Sequence, residues 1–318
     1  MKHEFSSKDF YNYEEMEDSA KNWRLHCSYR LQPTAFQGEN HVIELSNIQL
    51  SYTYREGGFM HDAISPPNTV SIAVIQECQD VACFDTFKLH QGMVLFFDDT
   101  KALNFMSKGN IKVAIVSIPL VLFKSYDLTF NKYIGHYLQE SDHELSLLFE
   151  KVLDSFIAKK PIDPKVLEDT FIIQLKKVIK TSMIKQAKLT RGETIALKIR
   201  DRVYHHMDGK INIDTFAKEY GVSDQTLQNA FKSLFGFTPK KFLQLLKLNL
   251  VNHDLIESDP KTTSVQAIAS KWGFTHLGRF AQVYSALFLE KPSQTLNTLQ
   301  DTKENIKTGC VTRREEMM

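Results

Sequence analysis

A chain of 318 residues that is 42% hydrophobic exceeds one ordinary domain and can bury two modest cores. It contains no run of about 18 consecutive apolar residues, and Met1-Lys2-His3-Glu4-Phe5 does not open a signal peptide, so a membrane partner is excluded and a cytoplasmic protein is expected. The net charge of +1 is unevenly spread: residues 190–300 carry 14 Lys and Arg against 10 Asp and Glu, and residues 1–189 carry 21 against 24. That C-terminal surplus is compatible with phosphate contact without requiring it, because mixed charge is also the usual solvated face.

The four cysteines exclude a redox or zinc framework. Cys78 and Cys83 are too far apart for a CxxC pair, and Cys27 and Cys310 stand alone, so they read as reduced packing thiols. The first forty residues are acidic and aromatic around Tyr11-Asn12-Tyr13-Glu14-Glu15, with no clear period. From His41 to Pro119 short alternating runs take over: Ile48, Leu50, Tyr52 and Tyr54, then Val70 to Ile75, Met93 to Phe97, and Ile111 to Ile118. Gly57-Gly58, Pro66-Pro67-Asn68, Asp98-Asp99 and Gly109-Asn110 punctuate them, which predicts a β-sandwich or small barrel.

After Pro119 the period lengthens to that of helices. Leu145, Leu148, Phe149, Val152 and Phe156 form one stripe, and Phe171, Ile172, Leu175, Val178 and Ile179 another, separated by Pro161 and Pro164. Such a helical hairpin packs against the sheet or serves as a dimerisation face; both remain open. The polar, basic stretch Lys185 to Arg191 reads as a linker, which divides the chain into residues 1–187, with a β-rich core at 41–119 and helices at 120–187, and residues 188–300. Residues 301–318 are polar and charged without an apolar stripe, and read as a disordered tail.

The segment from Asn212 to Leu227 has the grammar of a helix-turn-helix. Ala217 is small enough for a close helix crossing, Gly221 takes a left-handed turn, and Ser223 caps the second helix. Val222, Leu227 and Phe231 hold the pair together, leaving Asp224, Gln225, Gln228, Asn229 and Lys232 outward, with hydrogen-bonding side chains suited to base edges and phosphates. The grammar returns about fifty residues on, with Ala269, then Gly273, then Thr275 as cap. There Arg279 and Gln282 face outward while Phe280 and Tyr284 pack inward, and a helix from about Pro239 to Ile256 joins the two units.

These residues resemble a family. Gly221-Val222-Ser223, Leu227, Phe231, Phe235-Gly236-Phe237-Thr238-Pro239, Ile268-Ala269, Trp272-Gly273-Phe274, Phe280 and Pro292 are similar to the AraC/XylS transcription regulators. The string from Trp272 to Ala281 is closest to the branch of the ethanolamine-utilisation regulators. The resemblance implies double-stranded operator DNA as partner, with both recognition helices entering successive major-groove segments. RNA polymerase is a further implied contact. Gln225, Gln228, Asn229, Lys232, Arg279 and Gln282 become the candidate DNA contacts, and Ala217, Gly221, Leu227, Phe231, Ala269, Gly273 and Phe280 the structural positions. Asn229 stands where many members carry Arg, which favours adenine over guanine. The family's Arg-Leu-x-x-Ala-Arg pattern appears as Lys247-Leu248-Asn249-Leu250-Val251-Asn252, without either guanidinium. Gly278 costs about 1 kcal/mol of helix propensity and is read as permitting close backbone approach.

The same resemblance implies a cupin-like N-terminal domain that binds a small effector and forms a homodimer, hence an α+β chain ending in an all-α domain of two helix-turn-helix units. His41, His61 and His90 are scattered, with no His-x-His pair, so no metal and no cofactor are expected. Tyr52, Tyr54, Phe96, Phe97, Phe105 and Met106 offer apolar lining, and Arg24, Arg30 and Arg55 a hold on an anion. A partner protein bound in place of a small molecule is the alternative. An enzyme is not expected: phosphate loop, GxSxG, HExxH and alkyl-accepting cysteine motifs are all missing.

Overall fold

The computed structural model describes residues 4–20, 22–126, 131–140, 143–205, 211 and 213–297. It divides into two units, Met1–Ser28 with Ala35–Lys188, and Tyr29–Thr34 with Leu189–Met318.

Strands of the first unit begin well before His41. They are Glu4–Phe10 (β1), Arg24–Arg30 (β2), Gln37–Glu44 (β3), Gln49–Glu56 (β4), Phe59–Ile64 (β5), Thr69–Cys78 (β6), Ala82–Phe84 (β7), Phe87–Lys88 (β8), Met93–Asp98 (β9), Leu103–Ser107 (β10), Ile111–Pro119 (β11), His136–Gln139 (β12) and Ile184–Gln186 (β13). Helices Tyr13–Ser19 (α1), Leu120–Ser125 (α2), Glu144–Ile157 (α3) and Pro164–Thr181 (α4) are interspersed. One sheet runs β1-β3-β4-β11-β6-β9-β12-β13 and the other β2-β5-β10-β7-β8. β13 occupies part of the expected linker, where it pairs antiparallel with β12.

The centre of the large sheet is buried on both faces. β6 shows why: its first eight residues, Thr69 to Gln76, are all buried, as a nearly unbroken apolar run requires. Side chains alternate, so Val70, Ile72 and Val74 share one face with Leu50, Tyr52, Phe96 and Val116. That face receives Leu145, Phe149, Val152 and Phe156 of α3 and Phe171, Ile172, Leu175 and Val178 of α4. Sheet packing therefore takes up the two helical stripes. α4 starts where Pro164 requires, with the Asp163 carboxylate accepting from the amides of Lys165 and Val166. The buried Glu168 carboxylate then ties this helix to the β3–β4 turn, accepting from the Asn47 amide at 2.6 Å and from its Nδ2 at 2.9 Å.

Ala73, Ile75, Leu95, Phe97 and Ile111 point the other way, toward Phe59, Ala63, Leu103 and Phe105 of the small sheet.

The second unit is helical: Arg191–His205 (α5), Asp214–Glu219 (α6), Asp224–Phe235 (α7), Pro239–Glu257 (α8), Val265–Lys271 (α9), Leu277–Phe288 (α10) and Pro292–Asn297 (α11). Residues 301–318, read as a disordered tail, lie outside the described residues. No helix among the described residues is long and apolar enough to cross a membrane.

Phe149 has no exposed surface and meets Tyr52 edge-on at 5.4 Å and Phe171 at 4.9 Å. Phe149→Ala is expected to lower unfolding free energy by about 3–5 kcal/mol in urea titration.

Candidate DNA-binding surface and internal cavity

The first helix-turn-helix is α6 and α7. Ala217 is 3% exposed at the crossing, and Gly221, at φ +62°, makes the left-handed turn that a side chain would strain. The Val222 amide donates back to the Ala217 carbonyl at 3.0 Å. Ser223 caps α7 by accepting from the Thr226 amide at 3.1 Å. Leu227, Ala230, Phe231, Leu234 and Phe235 are buried, the three-and-four spacing of one helical face. Gln225, Gln228, Asn229 and Lys232 are exposed on the opposite side. Gln225 donates from Nε2 to Asn229 Oδ1 at 2.7 Å, so two candidate readers engage each other one turn apart.

The second unit, α9 and α10, repeats the turn. Ala269 is fully buried, Gly273 sits at φ +83°, and the Phe274 amide donates to the Ala269 carbonyl at 3.0 Å. Thr275 is not the cap, however. α10 begins at Leu277, with His276 at the cap position and no side-chain bond to the helix. The glycines are 52 positions apart, Gly221 to Gly273, whereas the helix starts are 53 apart, Asp224 to Leu277. The second turn is thus one residue longer, which brings Gln282 to the place that Asn229 holds in the first unit. Phe280, Tyr284 and Leu287 are buried inward, and Gly278, Arg279 and Gln282 are exposed. A Cβ at Gly278 would meet no protein atom within 4 Å. Among the described residues, neither Lys232 nor Arg279 has an acidic partner.

α8 joins the units and packs on both. Near its start Phe242 stacks on Phe235 at 5.0 Å and meets Phe231 edge-on at 5.6 Å. Near its end Asp254 accepts from Trp272 Nε1 and Lys271 Nζ, each at 2.7 Å. Burial pushes the Asp254 carboxyl up, but hydrogen bonds from His253, Lys271 and Trp272 outweigh it and hold the group at about 2. The two positions at which the Arg-Leu-x-x-Ala-Arg pattern has arginine, and the free position Asn249 between them, make internal contacts. Asn252 donates to the buried Tyr284 hydroxyl at 2.8 Å, Lys247 reaches the Ile211 carbonyl at 3.5 Å, and Asn249 brackets Arg30, accepting from its amide at 2.7 Å and donating to its carbonyl at 2.8 Å. Arg30 spends its guanidinium on the carbonyls of Gln32, Thr34 and Phe288, the last at the end of α10.

Between the sheets of the first unit lies a cavity with a mostly apolar lining. Ser51, Thr53 and Arg55 of β4 reach it, as do His61, Trp23, Phe97 and Phe105. The alternation that sends residues 51, 53 and 55 inward sends Tyr52 to the helix side. Of the six apolar residues expected as lining, Phe97 and Phe105 line the cavity; Phe96 packs with Tyr133 on the helix side, and Tyr54 donates to Glu56. Of the three arginines, Arg55 alone lines it, since Arg24 is exposed and Arg30 belongs to the second unit. His61 is 2% exposed and held well below its ordinary pKa by burial and by the neighbouring Arg55 charge. Trp23 gave no signal in the sequence because its segment has no period.

A family model described as a helix-turn-helix domain matches residues 216–298. The "Probable thc operon regulatory protein" of Rhodococcus erythropolis is 34% identical over 99 residues, 31% of this chain and 30% of that one. The XylDLEGF operon transcriptional activator of Pseudomonas putida is 29% identical over 163 residues, 51% of this chain and 50% of that one. The chain thus spans about a third to a half of the length of these curated relatives. The solved AraC-like transcriptional activator CuxR is 13% identical, with 75% of this chain and 92% of that one covered at a TM-score of 0.40. The C-terminal unit is a paired helix-turn-helix domain. Its sequence is similar to that of the AraC/XylS regulators over this domain.

Because the folded Asp254 pKa lies below the unfolded value, its contribution is present above about pH 4 and lost as pH falls toward 2. Asp254→Asn is expected to cost about 1–2 kcal/mol at pH 7, allowing for partial solvent screening, and the gap from the parent protein should close on acidification to pH 2, both measured by chemical denaturation.

Proposed function

We propose that this protein is a sequence-specific DNA-binding transcription regulator whose first unit takes up a small effector. The observation that carries the reading is the pair of recognition helices on one shared helix, each with its apolar side buried and its polar side exposed. In this reading α7 presents Gln225, Gln228 and Asn229 to base edges and Lys232 to phosphate, and α10 presents Arg279 and Gln282. Asn229 pairs with adenine once its carbonyl oxygen turns from Gln225 to the base, so the half-site under α7 is rich in A·T. Arg279 forks onto guanine. Gly278, with open space beside it, lets the α10 backbone approach the duplex closely.

The cavity favours a small molecule over a partner protein as the input, because its lining is internal and mostly apolar with a few polar groups. In this reading residues 1–187 receive the effector and residues 188–300 bind the operator.

An operator selected from a randomised duplex library provides the test. Arg279→Ala is expected to weaken binding by about 5- to 150-fold and to relax preference at one position, as loss of a bidentate base contact does. Lys232→Ala is expected to weaken binding uniformly across sequences and to reduce the salt slope by about one. Unchanged affinity and preference in Asn229→Ala and Arg279→Ala would remove these residues as readers.

A further inference from the structure

We infer that Arg30 is a positioning residue for the second recognition helix, holding the C-terminal end of α10 from a segment 258 positions earlier in the chain. This rests on the reading of α10 as a helix that contacts bases, and adds what sets its orientation.

The repeated helix-turn-helix supplies its own control. A shift of 53 positions takes Asp224, where α7 starts, to Leu277, where α10 starts. The same shift takes Gly236 to Leu289 and Lys232 to Ser285. Both helices stop on a left-handed residue, Gly236 at φ +71° and Leu289 at φ +65°. Glycine adopts that conformation freely, whereas a leucine is strained in it, and Leu289 is 64% exposed, so packing offsets little of the strain. The carbonyls left without partners at a helix end also gather negative charge. α7 carries a cation of its own there, Lys232, but the last turn of α10 has no basic residue. α10 therefore lacks both devices that finish α7.

Arg30 stands where the missing cation would. Its Nη1 is 3.5 Å from the carbonyl oxygen of Phe288, the last residue of α10, a charge contact more than a tight hydrogen bond. The other donors fix the direction of the guanidinium: Nε donates to the Gln32 carbonyl at 3.2 Å and Nη2 to the Thr34 carbonyl at 2.8 Å. The backbone of Arg30 is held separately, between the two ends of the buried Asn249 amide at 2.7 and 2.8 Å. Three residues along α8, Asn252 donates to Tyr284 of α10, so one face of α8 grips both α10 and the segment that reaches its end. Leu31 is 2% exposed, and Tyr29 meets Tyr204 of α5 edge-on at 5.3 Å. Residues 29–34 are thus built into the second unit, and they present the guanidinium to α10 on a rigid support. Tyr284 and Leu287 are the buried anchors of the last two turns of α10. If those turns fray, Arg279 and Gln282 on the same helix lose their set direction.

The experiment titrates full-length protein on the selected operator and on two altered copies. One copy is changed at the base pair whose preference Arg279→Ala removes, the other at the base pair whose preference Asn229→Ala removes. Arg30→Met keeps the side-chain stem and loses the charge. It is expected to weaken operator binding about two- to fivefold, the range for a cation lost from a helix end. The penalty at the α10 base pair should shrink by a similar factor, with the penalty at the α7 base pair and the salt slope unchanged. Adding Leu289→Gly, which gives α10 the terminus of α7, is expected to restore affinity and preference; a diffuse loss of folding is not repaired that way. Arg30→Lys is expected to keep more than half of the α10 preference and serves if the Met variant does not fold. Loss of the whole preference in a folded Lys variant overturns the proposal. So does an Arg30→Met protein with both preferences intact, or a double variant that Leu289→Gly fails to restore. A salt slope reduced by about one with both preferences intact makes Arg30 a direct phosphate contact and overturns it too. A parent protein with no preference that depends on Arg279 removes the reading of α10 and this inference with it. A preference that depends on Arg279 but not on Arg30 removes this inference alone.

Discussion

The C-terminal unit depends on one element, the nineteen-residue helix α8. It is about 28 Å long at 1.5 Å per residue, somewhat less than the roughly 34 Å turn of B-form DNA. Its first turns are locked to α7 by the stack of Phe231, Phe235 and Phe242, and its last turns to α9 and α10 by the Asp254–Trp272 and Asn252–Tyr284 hydrogen bonds. The two ends use different chemistry. Aromatic packing at the start is insensitive to pH, while the far end rests on an ionised carboxylate and a buried hydroxyl, so the second unit is the more vulnerable to acid.

In the first unit the governing constraint is the period of two in a sheet covered on both sides. One face is filled with side chains from α3 and α4 and contributes stability. The opposite face is left incompletely filled around Arg55, a buried cation without an acid. A core optimised only for folding would replace that group with an apolar residue of similar volume, often at a gain in stability.

Much of the fold was legible because its signals are local. Gly221 and Gly273 were readable as turns since left-handed backbone selects for glycine, and the spacing of Leu227, Phe231 and Phe235 marks a buried helical face without knowledge of what covers it. Strands β4, β6, β9 and β11 announced themselves by apolar alternation. Glu4–Phe10 did not, because an edge strand reading E-F-S-S-K-D-F has polar residues on both sides. Thr275 was misplaced as a cap for a related reason: a one-residue lengthening of the second turn leaves no mark on the apolar pattern until Phe280. The cavity was the least legible feature. Which aromatic residues face it depends on register, so Tyr52 and Phe96, adjacent to lining residues, fall on the wrong side. Arg55 was one of three arginines that the sequence ranked equally, and only the fold distinguishes a guanidinium aimed into a chamber from one that holds the Phe288 carbonyl. The roles of Lys247 and Asn252 were similarly hidden, since the absence of two guanidinium groups says nothing about the partners that their replacements find.

Hydroxyl-radical footprinting of the full-length protein on its selected operator tests the central claim most directly, because it reads the number and phase of the groove segments that are occupied. Two recognition helices held by α8 predict two protected clusters per protein molecule on one face of the duplex, with centres about 10 base pairs apart. A single cluster, or two on opposite faces, would contradict the account.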